Sequence, residues 1–133
     1  MSSMNQIVEG VWLGDMAGAY NKFMLKKNGI THILTVAQGI APKFPALFNY
    51  KLINVLDSPS ANLKQHFQVC IRFIKEALEQ GGQVLVHCFA GVSRSATVII
   101  AFLMQEYEMN FKDAFNHVKN VRYFIHPNEG FKR

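Results

Sequence analysis

The sequence is poor in cysteine, in long apolar runs and in charge. Two of its 133 residues are cysteine and 17% are charged. So few thiols argue for a reducing, intracellular setting, cytoplasmic with the nucleus as the alternative. The longest apolar run, Ala96 to Met104 interrupted by Thr97, falls far short of the roughly 20 residues that cross a bilayer. The opening MSSMNQIVEG has no basic segment leading into an apolar one, so no secretory signal is expected. Ser2 stands where myristoylation needs glycine, so no membrane anchor is expected either. There is no internal repeat, linker or low-complexity segment. Neither cysteine belongs to a pair with zinc spacing, and adjacent strand residues such as His87 and Cys88 point to opposite faces. No metal site is therefore expected.

What remains is a chain that is half hydrophobic, long enough for one domain over 1–133 with a single good core. Lysine and arginine outnumber the acids by 14 to 9, a net charge of +5. That balance suits acidic ligands such as phosphorylated chains. The basic residues are scattered, with no stripe of interleaved aromatics, so nucleic acid is not expected as a partner.

Taken in order, Ile7 to Asp15 reads as a short strand pair broken at Gly10, with Trp12 and Leu13 packing inward. Ala17 to Lys27 has helical spacing, with Tyr20, Phe23 and Met24 inward, the lysines outward and Gly29 at the C-cap. Thr31 to Ala37 is a β-branched strand, residues 38–47 an exposed loop with Gly39, Pro42 and Pro45, and Asn49 to Leu56 a third strand. Leu63, Phe67, Cys70, Ile71, Ile74, Ala77 and Leu78 share one helical face, closed by Gly81-Gly82. Cys70 is accordingly a core residue. Val84 to Val86 is a buried strand and Ser95 to Tyr107 a buried helix. Asn110 then caps a helix carrying Phe115, Val118 and Val121.

Strands alternating with helices predict an α/β fold: a mainly parallel, twisted sheet of four or five strands, flanked by helices on both faces. A right-handed crossover through the 63–80 helix would set the ends near Leu56 and His87 on one rim. Asp57 and Cys88, just beyond those ends, then meet where open α/β sheets bind ligands.

Between the buried strand and the buried helix, Cys88 and Arg94 bracket a tight turn containing Gly91. Its inward amides, at the positive end of the helix dipole, form an anion cradle, and Gly91 supplies the positive φ or close approach. Arg94 adds a planar fork matched to phosphate oxygens. The same surroundings favour the Cys88 thiolate, in the range of roughly 3.5–7.5 rather than about 8.5. Free cysteine is otherwise a small buried hydrophobe, and a glycine loop between strand and helix is otherwise a nucleotide site. The Lys-Ser/Thr ending of such a site is missing. Displacement at phosphorus then gives Cys88 as nucleophile, with Arg94 and the amides of Phe89, Ala90, Gly91, Val92, Ser93 and Arg94 around the equatorial oxygens. Asp57 is the candidate general acid and base, or else a cap or turn former before Pro59. For Ser95, in the helix's first turn, a plain cap is the alternative reading, and for His87 an ordinary buried histidine.

The run His87-Cys88-Phe89-Ala90-Gly91-Val92-Ser93-Arg94-Ser95 resembles the signature of the cysteine-dependent protein tyrosine phosphatases. Ala101-Phe102-Leu103-Met104 resembles the Ala-Tyr-Leu-Met of their dual-specificity branch, with Phe102 in place of tyrosine. The likeness runs from Gly10-Val11-Trp12-Leu13-Gly14 to Phe131. It implies the small dual-specificity phosphatase fold, and hydrolysis of phosphotyrosine and phosphoserine/phosphothreonine in proteins through a cysteinyl-phosphate, with no metal or cofactor. It also implies Asp57, followed by Asn62-Leu63, as the acid, Ser95 assisting the sulfur as leaving group, and His87 tuning the thiol from behind the loop. Asn128, in Arg122-x-x-Ile125-x-Pro127-Asn128-x-Gly130-Phe131, would brace the loop. Members usually continue through a final helix that is cut short here. A loop of Phe89, Ala90, Val92 and Ser93 lacks the added cationic residues that a phosphoinositide or an RNA 5′-phosphate favours. Retention of Cys88, Arg94 and Asp57 argues against a non-catalytic phosphoprotein-binding module. The expected partners are phosphorylated proteins, and the chain is taken as a monomer.

Overall fold

The computed structural model describes residues 3–55, 63–89 and 93–122. It contains β1 (Met4–Val8), β2 (Val11–Gly14), α1 (Met16–Ala19), α2 (Lys22–Lys27), β3 (His32–Val36) and β4 (Asn49–Ile53). A 3-10 turn at Lys64–His66 leads into α3 (Phe67–Glu79), followed by β5 (Val84–His87), α4 (Arg94–Glu106) and α5 (Phe111–Val121). The five strands lie in the order β1-β2-β5-β3-β4, antiparallel at the β1–β2 hairpin and parallel elsewhere. The expected sheet is present, and β2, β5, β3 and β4 all end on one rim.

Period-two alternation explains the layers. One transverse row, Trp12, Leu85, Ile33 and Tyr50, is in register across four strands. It packs with Met4, Ala19, Leu25 and Phe48 beneath α1 and α2. The neighbouring positions Leu13, Val86 and Leu34 face the other way, into the main core with Cys70, Ile71, Ile74, Ile99, Phe102 and Val118 of α3, α4 and α5. Both faces are covered. Trp12 and Leu13 both pack, on opposite sides, and the indole N–H donates to Gln83 Oε1 at 2.9 Å.

One expectation fails in the 17–27 segment. A single helix is replaced by two short ones, because Asn21 interrupts the run and caps α2, its Oδ1 accepting from Met24 N at 3.1 Å. The new start re-phases the apolar face. Leu25 takes the core position, Tyr20 and Met24 are partly buried, and Phe23 is 72% exposed. The third predicted strand closes at Ile53, and Leu56 lies outside the described residues.

The β2–α1 corner at the rim is tight. A Cβ on Gly14 would lie 2.7 Å from the Ser3 carbonyl oxygen, and one on Gly18 would lie 2.5 Å from it. Only glycine lets β1 and α1 approach this closely. No helix among the described residues is long and apolar enough to cross a membrane.

Candidate active site

Cys88 follows the last residue of β5, between β2 and β3 at the rim, and is 2% exposed. It packs with Ala37 and Ile40 beyond β3, and with Met16 and Tyr20 of the α1 corner. α4 starts six positions on, at Arg94, and has no acidic residue in its first turn. The sulfur therefore sits before the positive end of a thirteen-residue helix whose own first turn carries no opposing carboxylate. Thr97 holds that first turn twice, its amide and its hydroxyl both donating to Ser93 O, at 2.9 and 2.8 Å.

Ser95 is fully buried, with its Oγ 3.2 Å from Cys88 Sγ. The position that reads as a helix cap thus carries a hydroxyl directed at the sulfur. Ser93 occupies the N-cap position and is buried. Arg94 is 8% exposed, and its Nη1 donates to Val55 O at 2.8 Å, tying the fork to the end of the segment that leads into Asp57. Its Nε, also buried, has no partner among the described residues. A buried donor of this kind is costly unless a ligand satisfies it. Phe89 is 63% exposed, so its ring stands at the mouth of the site.

His87 lies behind the loop, with Nδ1 3.2 Å from Cys88 O and Nε2 2.9 Å from Thr35 Oγ1. A carbonyl only accepts, so Nδ1 carries the proton and Nε2 accepts from the Thr35 hydroxyl. Burial pushes the ring down to about 4, against the smaller opposing effects of the Cys88 carbonyl and Asp15. His87 is therefore neutral near pH 7 and anchors the Cys88 carbonyl by hydrogen bonding rather than by charge.

Two residues without an assigned role in the sequence reading join the site. Asp15 ends the β2 turn, and Met16 N donates to Phe89 O at 3.1 Å. Arg122, 1% exposed at the end of α5, reaches Asp15 and Asn5. Burial lowers its pKa; Asp15, and less strongly Cys88, oppose that. A local signal for Asp15 existed, since Asp before Met-Ala-Gly-Ala is a helix-cap pattern. None existed for its union with Arg122. Cys88, Ser93, Arg94, Ser95, Phe89 and His87 are brought together. Asp57, Ala90, Gly91, Val92 and Asn128 lie outside the described residues. Cys70 faces the main core from α3, where burial pushes its thiol up to about 12. Neither cysteine is in a disulfide.

The arrangement offers a sulfur nucleophile, a hydroxyl to receive its charge, a guanidinium with a spare donor and a helix N-terminus. Such a set handles a tetrahedral oxyanion. Comparison with known proteins agrees. Residues 11–133 match the family described as "Dual specificity phosphatase, catalytic domain". Dual specificity protein phosphatase 1 of Arabidopsis thaliana is 47% identical over 127 residues, which are 96% of this chain and 64% of that protein. The chain thus spans somewhat under two thirds of that relative's length. Dual specificity protein phosphatase 1B of the same plant is 44% identical, over 96% of this chain and 77% of its own length. Among solved structures, that of the human tyrosine phosphatase-like serine/threonine/tyrosine-interacting protein superposes with a TM-score of 0.92 at 40% identity, covering 96% of this chain and 89% of that one.

Proposed function

The chain belongs to the dual specificity phosphatase catalytic-domain family, and on that premise we propose that it hydrolyses phosphotyrosine and phosphoserine/phosphothreonine in proteins. The observation that carries the reading is the triplet of Cys88 Sγ, Ser95 Oγ at 3.2 Å and the buried Arg94 Nε, without a partner among the described residues, at the head of α4.

In the first step the Cys88 thiolate attacks phosphorus, the bond to the leaving oxygen breaks, and the Asp57 carboxyl protonates that oxygen. Arg94 and the amides of residues 89–94 hold the three equatorial oxygens. In the second step water attacks the cysteinyl-phosphate, the Asp57 carboxylate takes its proton, and the sulfur leaves as thiolate, its charge received by the Ser95 hydroxyl. His87 keeps the Cys88 carbonyl fixed throughout, and Asn128 braces the loop. The reaction needs neither metal nor cofactor. Residues 1–133 act as one catalytic domain and as a monomer on phosphorylated proteins, without nucleic acid. Two cysteines outside any disulfide suit the cytoplasm or the nucleus.

Wild-type, Cys88→Ser and Asp57→Ala proteins, assayed on an aryl phosphate, paired phosphotyrosine and phosphothreonine peptides and a phosphoinositide, test the reading. Cys88→Ser is expected to lose nearly all turnover while still binding phosphopeptide. Asp57→Ala is expected to lose most on alkyl phosphates, whose leaving oxygen needs the proton more than a phenolate does. Full turnover by Cys88→Ser overturns the mechanism, and a preference for the phosphoinositide overturns the substrate class.

A further inference from the structure

The guanidinium of Arg122 joins three elements that are distant in sequence. Its Nη1 donates to Asn5 Oδ1 on β1 at 2.5 Å, and its Nη2 lies 3.4 Å from Asp15 Oδ2. Asp15 is the pivot. Its other oxygen accepts from Gly18 N at 3.0 Å and caps α1, while the adjoining Met16 N–H holds Phe89 O, the first carbonyl beyond Cys88. A chain of contacts thus runs from the end of α5 through one ion pair, buried on the Arg122 side and partly exposed at Asp15, to the loop that carries the nucleophile. Carrying a guanidinium into the interior is expensive unless its charge is matched and used.

We propose that the Asp15–Arg122 pair positions the Cys88 loop and sets its charge balance: Arg122 favours the thiolate, and Asp15 tempers that field while pinning Met16 to Phe89. The inference rests on Cys88 being the nucleophile. Among the described residues, the charged and titratable groups near the sulfur come from several elements. Arg94 and the N-terminus of α4 are positive, and Arg122 adds a second guanidinium from the end of α5. Asp15 contributes the opposing carboxylate from the β2–α1 turn, and Asp57 lies outside the described residues. His87 is neutral on β5, Ser95 is a hydroxyl, and Tyr20 at the end of α1 carries Lys43 4.9 Å above its ring. Met16, next to Asp15 in the chain, packs against the cluster that holds Cys88, which sets the pair beside the sulfur's surroundings.

The test is the pH dependence of Cys88 alkylation by iodoacetamide, read by mass on the full chain. Cys70, with its thiol pushed to about 12, stays silent in that range. Arg122→Gln is expected to raise the midpoint by about half a unit, roughly threefold in thiolate on the acid side. Asp15→Asn, which retains an acceptor for Gly18 N, is expected to lower it by a comparable amount. Arg122→Lys keeps the charge and should titrate near wild type. Opposite signs in the two neutralising variants are the signature, because mere loosening of the loop moves both the same way. If Arg122→Gln does not fold, Asp15→Asn decides alone, and a midpoint that is unmoved or raised overturns the proposal. A wild-type midpoint near 8.5 refutes the nucleophile itself. A low wild-type midpoint that no variant shifts refutes only the role of the pair.

Discussion

Replacing Ser95 by alanine removes one oxygen from a fully buried position 3.2 Å from the Cys88 sulfur. Alanine fits the same helical turn, so α4 keeps its first hydrogen bonds and the fold is little disturbed. The two chemical steps respond differently. When the thiolate attacks, its charge flows away, so loss of the hydroxyl weakens the ground state and the transition state together. When the thiolate departs, charge returns to the sulfur with no donor to receive it. A hydrogen bond to a charged group contributes about 1.5–3 kcal/mol, which corresponds to roughly 10- to 150-fold in the rate of the second step. Ser95→Ala should therefore lower kcat by that factor on an aryl phosphate while kcat/KM changes little. Rapid mixing should show a burst of phenol approaching one equivalent per site, with a phosphorylated protein of raised mass on quenching. If kcat and kcat/KM fall together with no burst, the hydroxyl does not serve the departing sulfur, and its contact with Cys88 is only structural.

Three further outcomes are expected. His87 ionises near 6.5 when unfolded and near 4 when folded, so the unfolded chain takes up a proton first as pH falls. Stability should drop across that window, by at most about 3.4 kcal/mol, and level off below it; urea melts of wild type and His87→Gln should diverge in slope there, and parallel slopes would contradict the assignment. Gly18→Ala places a methyl against the Ser3 carbonyl and should lower stability by about 1–3 kcal/mol, checked by thermal unfolding, whereas a neutral result would mean the corner relaxes freely. Iodoacetamide at neutral pH should add a single label, at Cys88; labelling of Cys70 without denaturant would show that α3 opens.

The parts of the molecule that could be read from the chain are those built from local pattern. Runs such as Thr31 to Ala37 announce strands, and the 63–80 periodicity gives α3 with Cys70, Ile71 and Ile74 in the core. Parallel alternation even placed β4 and β5 on a common rim. Phe23 marks where local pattern fails. Helical spacing allowed one continuous helix, but a cap at Asn21 reset the phase and buried Leu25 instead. The site divides in the same way. Cys88, Ser95 and Arg94 stand within one strand–loop–helix unit and are visible together. The supports of that unit come from elsewhere: Thr35 to His87, Val55 to Arg94 and Asp15 to Arg122 span 52, 39 and 107 positions. Nothing in a periodicity encodes strand order, and these pairings are products of strand order.

That order has a consequence for how the protein fails. β5 has β2 on one side and β3 on the other, and both of its faces are covered by packed side chains. Its amides should be among the slowest in the chain to exchange with deuterium, opening only when the whole sheet comes apart. Heat or denaturant should then abolish turnover and tertiary structure at one midpoint, since the reactive sulfur is mounted on the last strand to be released.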